Sequence, residues 1–139
     1  MSKDRYAGLE ADFRVRLDGF EGACRAHGLV LEAREGYRDP VRSDALYAAW
    51  IASGKTGPRA APGGSSAHNF GLAMDYACLD AAGNAIASSE DPAYILMEEI
   101  APRYGLKTLR TLGDGGHVEL DGWEQRRLFL DVTGGSSTV

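Results

Sequence analysis

The stretch from Ser66 to Cys78 constrains the fold more than any other part of the chain. Side chains alternate between the two faces of a strand, so His68 and Asp75, seven residues apart, would point in opposite directions on one straight strand. A turn must therefore separate them. Gly71 can supply this turn, because glycine tolerates backbone angles that other residues resist. We predict a turn around Gly71, followed by a strand.

The residues after this turn have the pattern of a half-buried strand. Large apolar side chains occur at every second position from Leu72 to Cys78, and small or acidic side chains lie between them. Asp75 then shares a face with Ala73 and Ala77, whose small side chains leave room for a metal and a substrate. The pattern predicts that the opposite face packs against the core.

A second short strand is predicted at residues 117–120, where His117 and Glu119 share one face and Val118 and Leu120 point into the core. Asp114 precedes His117 by three residues, across what we interpret as a Gly-Gly turn. A carboxylate at this place could take a proton from metal-activated water and pass it to a leaving amine. We therefore predict Asp114 as a catalytic group.

Two histidines and one aspartate, His68, Asp75 and His117, form a ligand set that suits Zn²⁺. Three protein ligands leave the fourth coordination position open for water, and this open position distinguishes a catalytic zinc from a structural one. His27 follows a predicted helix and precedes Gly28, so we interpret it as a surface residue outside the site.

These residues resemble the zinc peptidases of the LAS group, which includes D-Ala-D-Ala carboxypeptidases and the L-alanyl-D-glutamate endopeptidases found among phage endolysins. The signature of the group is Ser-x-His-x-x-Gly-x-Ala-x-Asp, followed later by acidic-x-x-His. The chain meets every fixed position, with Ser66, His68, Gly71, Ala73 and Asp75 in the first motif and Asp114 and His117 in the second. The similarity runs from about residue 29 to residue 120.

The resemblance implies that His68, Asp75 and His117 bind zinc and that Asp114 is the general base. It also implies that Arg38, in the Gly-Tyr-Arg segment, contacts the substrate and stabilises developing negative charge. The implied fold is α+β, with a small, mainly antiparallel sheet flanked by helices, as in hedgehog and D-Ala-D-Ala-peptidase domains.

Three further residues are predicted to bind the substrate together with Arg38. They are Tyr37, Ser66 and Glu119. For Glu119, a place behind the metal ligands or a plain exposed position on the strand stays open, and Ser66 could instead belong to a flexible loop. Arg38 could be a surface ion-pairing residue, but Asp39 and Pro40 indicate a helix start that fixes it at a strand-to-helix junction.

The expected reaction is hydrolysis of a peptide bond in the stem peptides of peptidoglycan. An aspartate ahead of His117 resembles the endopeptidases, so we expect an L-alanyl-D-glutamate endopeptidase that acts as a phage or prophage endolysin. Many members of the group have an aromatic residue just before the last ligand, whereas Gly116 stands here. A D-Ala-D-Ala carboxypeptidase, a non-enzymatic zinc-binding module and a phage structural or tail component are the alternatives.

Composition fits a small enzyme. The 139 residues suffice for one domain, 1–139, and we expect a flexible tail at 134–139. A net charge of −5 and a pI near 5.1 argue against nucleic acid and membrane surfaces as partners, and we expect a monomer.

The N-terminus lacks the apolar segment of a signal peptide, so we expect cytoplasmic synthesis and release by another factor. Cys24 and Cys78 fit reduced, buried thiols.

The remaining pattern predicts helices alternating with strands. Apolar residues from Tyr6 to Cys24 recur at helical spacing, residues 29–33 read as a strand, and residues 40–53 as a second helix. Residues 54–67, rich in Gly, Pro and Ser, are interpreted as a flap over the groove or a plain connector. A third helix is predicted from Pro92 to before Gly105, with Pro102 disturbing its last turn, and a closing segment at residues 123–132.

Overall fold

The computed structural model describes residues 4–56 and 60–133. This part of the chain contains four α-helices, α1 (Ala11–Ala26), α2 (Pro40–Ala52), α3 (Pro92–Ile100) and α4 (Trp123–Thr133). It contains four strands, β1 (Leu31–Glu35), β2 (Ala73–Cys78), β3 (Leu106–Leu109) and β4 (Asp114–Leu120), and single 3₁₀ turns such as Ala67–Phe70. The predicted tail at 134–139 and residues 57–59 of the predicted flap lie outside the described residues.

The strands form one antiparallel sheet in the order β1-β2-β4-β3. In the register of this sheet, Asp75 of β2 lies opposite His117 of β4, and Glu119 of β4 lies opposite Lys107 of β3. The predicted α+β fold with an antiparallel sheet is therefore confirmed. Two of the candidate ligands occupy directly paired positions on the two central strands.

The core lies on one face of the sheet. Met74 and Val118, paired on the central strands, are fully buried there together with apolar residues of α1 and α3, namely Phe13, Leu17, Phe20, Cys24, Tyr94, Met97 and Ile100. Alternation along β2 and β4 then turns Asp75 and His117 to the other face. Burial of the core side fixes this register, because a slip of one residue would move the candidate ligands into the core.

A carboxylate lies inside the core region. Glu21 on α1 is 5% exposed, and its carboxylate accepts hydrogen bonds from the hydroxyls of Tyr6, at 2.7 Å, and Tyr76, at 2.5 Å. Burial, together with the adjacent Glu21 carboxylate, raises the pKa of Tyr6 to about 12. The network therefore keeps both tyrosines protonated and ties α1 to the central strand β2.

Several sequence predictions of local structure are confirmed. Asp39 caps α2 by accepting a hydrogen bond from the backbone N–H of Arg42, and Pro40 is its first residue. The third helix ends as an α-helix at Ile100 and tightens into a 3₁₀ turn that stops at Gly105. Cys24 and Cys78 are buried free thiols.

Other predictions of local structure need correction. The first helix begins at Ala11 and not at Tyr6, because Glu10 caps it by accepting from the N–H of Phe13. The first strand starts two residues later than predicted, and the pattern did not reveal β3. None of the helices in the described ranges has both the length and the apolar character needed to cross a bilayer.

The Gly115-Gly116 pair is part of strand β4 and is not a turn. A Cβ atom at Gly116 would overlap the carbonyl oxygen of Tyr76 on β2, so only glycine permits the two strands to approach this closely. A Cβ atom at Gly115 would make a less severe contact, 3.0 Å from Cβ of Tyr94. Asp114 therefore reaches the site along a continuous strand.

Candidate metal centre and active site

Three side chains from three different segments converge above the sheet. His68 comes from the 3₁₀ turn, Asp75 from β2 and His117 from β4. Nε2 of His68 and Nδ1 of His117 each lie 3.1 Å from Oδ1 of Asp75, and one ligand atom from each residue falls within 4.8 Å of the others. The three predicted ligands are thus brought together, and the turn at Gly71, with φ of 69°, makes this possible.

The second nitrogen of each histidine already has a partner. Nδ1 of His68 donates to the carbonyl oxygen of Gly36 at 2.6 Å, and Nε2 of His117 donates to Oε1 of Glu119 at 2.7 Å. Hydrogen bonds of this type fix the tautomer and orientation of metal-binding imidazoles. The remaining nitrogens point to Asp75, so the donor set fits Zn²⁺.

The charges around the three side chains favour a cation. Burial alone would raise the pKa of Asp75, but hydrogen bonds from His117 and His68 outweigh burial and hold this pKa well below its usual range. Burial opposes the charged form of His117, yet its hydrogen bonds to Asp75 and Glu119 raise its pKa to about 9. The same carboxylates would attract a metal ion at this place.

Asp114 begins β4 and lies in the same cleft as Asp75 and His117. Burial raises the pKa of the Asp114 carboxyl above its usual value, and the negative charge of Asp75 adds to this, although His117 and Arg38 oppose it. A raised pKa makes the Asp114 carboxylate a stronger base towards a proton of water.

Arg38 follows β1 and is held over the site. Its guanidinium lies 2.9 Å from Oε1 of Glu35 and 3.6 Å from Oδ2 of Asp75, and its side chain is 11% exposed. Among the described residues, its Nε has no hydrogen-bond partner. Arg38 is therefore a largely buried cation beside the candidate metal ligands with donor capacity left for a substrate.

Asn69, which sequence reasoning did not select, connects Arg38 to the turn of His68. Its Nδ2 donates to the carbonyl of Arg38 and to Oγ of Ser43, each at 2.9 Å, while its Oδ1 accepts from the N–H groups of Gly64 and Ser66. The N–H of Arg38 in turn donates to the carbonyl of His68 at 3.0 Å. The Ser66-x-x-Asn69 spacing of a capping box was the available signal.

Two clefts meet at the convergent side chains, and Arg38, Asp75 and Asp114 line both. One, of about 300 Å³, extends towards β3 and α4; we call it the β3 cleft, and Ser66, Lys107, Leu109, Leu112 and Trp123 also line it. The other, of about 540 Å³, extends towards α2; we call it the α2 cleft, and it is lined by Leu46, Trp50, Ser89 and Tyr94.

The predicted substrate residues fall at different places. Ser66 lines the β3 cleft. Glu119 also lines it but is 4% exposed and bonded to His117, which favours the place behind the metal ligands. Tyr37 is 44% exposed and lies in a neighbouring cavity of about 540 Å³ that also reaches Arg38. Lys107, Trp50 and Trp123 line the clefts but carry no motif by which sequence reasoning could select them.

Comparison with known protein families agrees with this geometry. The profile of the VanY D-alanyl-D-alanine carboxypeptidase family matches residues 7–119, which includes all the convergent side chains. The chain belongs to this family. Its members are peptidoglycan peptidases, so the chain is a member of an enzyme family that acts on the cell wall. Among curated proteins, none matches the chain significantly.

Solved structures share the fold of this VanY-family chain. The LdcB LD-carboxypeptidase is 18% identical, with 94% of this chain and 67% of LdcB covered and a TM-score of 0.64. The D,D-pentapeptidase VanY of a VanB-type resistance cassette, solved with Zn(II), is 20% identical, with 84% and 74% covered and a TM-score of 0.63. The L-Ala D-Glu endopeptidase ChiX of Serratia marcescens is 20% identical, with 84% and 83% covered and a TM-score of 0.55.

Proposed function

We propose that this protein is a zinc-dependent peptidase that cleaves inside the stem peptide of peptidoglycan, as an L-alanyl-D-glutamate endopeptidase. The observation that carries the zinc assignment is the convergence of His68, Asp75 and His117, with the outer nitrogen of each imidazole already bonded. The zinc complex of the related VanY peptidase supports it. The substrate class follows from the family.

Each residue of the candidate site has a separate role in the proposed hydrolysis. Zinc held by His68, Asp75 and His117 would supply Lewis acidity and lower the pKa of water. Asp114 accepts a proton from the attacking water and returns it to the leaving amine. The guanidinium of Arg38 stabilises negative charge on the oxygen of the scissile amide. Burial of Arg38 and Asp114 strengthens these interactions, because they are poorly screened by solvent.

The two clefts support internal cleavage. Because the β3 cleft and the α2 cleft both reach Asp75 and Asp114, a peptide can extend from the scissile bond in both directions. An enzyme that removes a terminal residue needs room for a chain on one side only. The L-Ala D-Glu endopeptidase among the structural relatives shows that the fold accommodates this reaction.

A D-Ala-D-Ala carboxypeptidase is the second candidate, and the family match favours it. It would use the same side chains and differ in which bond is cut. The two reactions give different products, so one experiment separates them.

Purified peptidoglycan should be incubated with the zinc-loaded protein and its products identified by mass spectrometry. We expect new amino termini on D-glutamate, and we expect none with the Asp114→Asn variant. Release of free D-alanine without internal cleavage would replace the endopeptidase with the carboxypeptidase. The absence of any cleavage with the zinc-loaded protein would contradict both.

We further propose a lytic role, in which the protein is made in the cytoplasm and reaches the wall after another factor permeabilises the membrane. An endopeptidase that cuts stem peptides removes cross-links, so it should lower the turbidity of permeabilised bacterial cells. Unchanged turbidity, together with cleavage of isolated stem peptides, would restrict the protein to peptide processing.

A further inference from the structure

We propose that Lys107 forms an anion-binding subsite in the β3 cleft and binds a carboxylate of the peptide substrate. This inference rests on the proposed peptidase function and specifies a feature of its substrate. Lys107 belongs to no part of the metal-binding motifs, and its position follows from the register of the sheet.

The sheet places Lys107 on the opposite side of the candidate metal centre from Arg38. Lys107 on β3 pairs with Glu119 on β4, and β4 pairs with β2, which carries Asp75. Two strand spacings separate β3 from β2, about 10 Å across the sheet. Arg38 follows β1 at the other edge. The two cations therefore flank the centre, one on each side.

The ammonium group of Lys107 is available to a ligand. Its ion pair among the described residues joins Nζ to Oε2 of Glu119 at 3.6 Å, which is longer than a hydrogen bond, and its side chain is 41% exposed. Glu119 uses its other oxygen to accept from His117 at 2.7 Å. The three N–H donors of Lys107 are thus free to turn towards the cleft.

The charges that line the β3 cleft make Lys107 the cation with which an anion entering on the β3 side can pair. Of its lining residues among the described parts of the chain, the lysine and arginine side chains are Arg38 and Lys107, the two histidines are the candidate metal ligands, and Asp75, Asp114, Glu119 and Glu124 are acidic. Arg38 lies on the β1 side, is paired with Glu35 and Asp75, and is the group that the proposed reaction directs at the scissile amide. If an uncharged or cationic group binds on the β3 side, Glu119 alone balances the charge of Lys107. A carboxylate bound there can form a charge-assisted hydrogen bond with Lys107.

The spacing limits which carboxylate can bind. An extended peptide advances about 3.4 Å per residue, so the roughly 10 Å between β2 and β3 corresponds to about three residues. The reach of the lysine side chain shortens this distance. The bound carboxylate therefore lies within three residues of the scissile bond. A stem tetrapeptide with lysine at its third position offers two such groups when it is cut between L-alanine and D-glutamate, namely the free carboxylate of its D-glutamyl residue and its C-terminal carboxylate.

The test compares three synthetic stem tetrapeptides with lysine at the third position. One has both carboxylates free, one has the D-glutamyl carboxylate amidated, and one has the C-terminus amidated. Values of kcat/KM are measured for the zinc-loaded protein, for Lys107→Met and for Arg103→Met, a control that removes an exposed positive charge outside both clefts. Affinity is measured separately by calorimetry in the zinc-loaded Asp114→Asn background.

We expect that amidating one of the two carboxylates lowers affinity and kcat/KM about tenfold, the usual worth of a hydrogen bond to a charged group. This penalty should disappear in Lys107→Met and persist in Arg103→Met. The peptide that shows the penalty identifies the carboxylate. Penalties of equal size in the Lys107→Met and unsubstituted proteins would overturn the inference.

A second outcome would also overturn it. If Lys107 acts only by holding Glu119, then Lys107→Met would weaken zinc binding and reduce the turnover of all three peptides equally. Failure of the proposed function is separable from both outcomes. The affinity difference between the free and the amidated peptides is measured by calorimetry. If no peptide is cleaved but this difference depends on Lys107, the subsite is supported and the peptidase assignment is contradicted. If the calorimetric preference does not depend on Lys107, the subsite falls, whatever the turnover.

Discussion

At the scale of single residues, three neighbouring carboxylates of the candidate site make different contacts. Asp75 faces both histidines, Glu119 orients one of them, and Asp114 lies at the start of the same strand without a hydrogen bond to either ring among the described contacts. Burial acts on all three, but the charges beside them differ. The histidines lower the pKa of Asp75, whereas burial dominates at Asp114 and raises its pKa.

Replacing Asp114 with asparagine should separate metal binding from catalysis. The amide keeps the size of the side chain but cannot accept a proton, so hydrolysis should fall by roughly two to four orders of magnitude. Zinc content, measured by elemental mass spectrometry, should stay at one ion per chain. Asp121→Asn, which removes an exposed carboxylate outside both clefts, is the matched control. Loss of zinc from Asp114→Asn would make Asp114 a ligand, and full activity would leave it without a catalytic role.

Replacing Glu119 with glutamine should weaken metal binding. Its carboxylate accepts the Nε2 proton of His117 at 2.7 Å and so makes the other nitrogen a better ligand. Removing such a partner typically lowers metal affinity by about 10- to 100-fold. Competition with a chelating dye would measure the change. Glu124→Gln, on the same β3 cleft, should leave the affinity unchanged, and an equal loss in both variants would point to general electrostatics.

At the scale of elements, the distance between β2 and β4 sets the distance between two candidate ligands. Asp75 and His117 are paired across these strands, and Gly116 precedes His117 at a place where a Cβ atom would overlap the carbonyl oxygen of Tyr76. A side chain at residue 116 must push β4 away from the carbonyl of Tyr76. The glycine pair therefore serves strand packing, although the sequence motif shows it only as a spacer before the last histidine.

Gly116→Ala should destabilise the fold and weaken zinc binding together. Forcing a methyl group into a packed position costs about 1–3 kcal/mol, and the shift of β4 would separate His117 from Asp75. Gly22→Ala is the control, because its Cβ would meet no atom within 4 Å on the exposed side of α1. That variant should gain about 0.4–1 kcal/mol in the free energy of unfolding. Denaturant unfolding would measure both, and a neutral Gly116→Ala would contradict the packing role.

Local signals explain which elements the sequence could predict. The cap at Asp39, the proline at Pro40 and the alternation after Gly71 act within a few residues, and the corresponding helix and strand appear as expected. Strand β3 gave no such signal because its four residues gain their structure from pairing with β4. Lys107 could not be selected for the same reason, since its place in the cleft depends on that pairing.

In the candidate site too, local spacing predicts some residues, and others depend on contacts between distant parts of the chain. His68, Asp75, His117, Asp114 and Arg38 belong to motifs with fixed spacing, and the structure brings them to one place. The role of Asn69 depends on contacts with Ser43 and Arg38, more than 20 residues away in sequence, so spacing alone could not reveal it. For Tyr37, the adjacent Arg38 suggested a place in the site, but the backbone turns its ring towards Gly8.

At the scale of the whole molecule, the candidate metal centre joins parts of the chain that are far apart. His68, Asp75 and His117 span 50 positions of the sequence, and the bond from His68 to Gly36 adds a fourth segment. A metal ion that binds the folded protein and not the unfolded chain stabilises the fold by mass action. Stability and metal occupancy should therefore change together.

Removal of zinc should lower the melting temperature of the whole protein. At a free zinc concentration 100 times the Kd, binding contributes about 2.7 kcal/mol, which corresponds to roughly 8 °C for a chain of this size. Calorimetry with zinc and with a chelator would measure the shift. The His68→Ala/His117→Ala double variant should show no shift and His27→Ala, at the exposed end of α1, should show the full one. Full zinc occupancy in the double variant would overturn the metal assignment.

The bonds that Asn69 makes to the backbone of Arg38 and to residues beside His68 have an evolutionary consequence. A mutation that moves the arginine also moves the histidine turn, so substitutions there interact strongly and their effects on turnover are not additive. The β3 edge is free of this constraint, because Lys107 and Leu109 make none of the described hydrogen bonds that connect Asn69 to Arg38 and to the turn of His68. Relatives of this enzyme can therefore acquire new peptide preferences one mutation at a time along β3, while the opposite side of the site changes only through compensated sets of mutations.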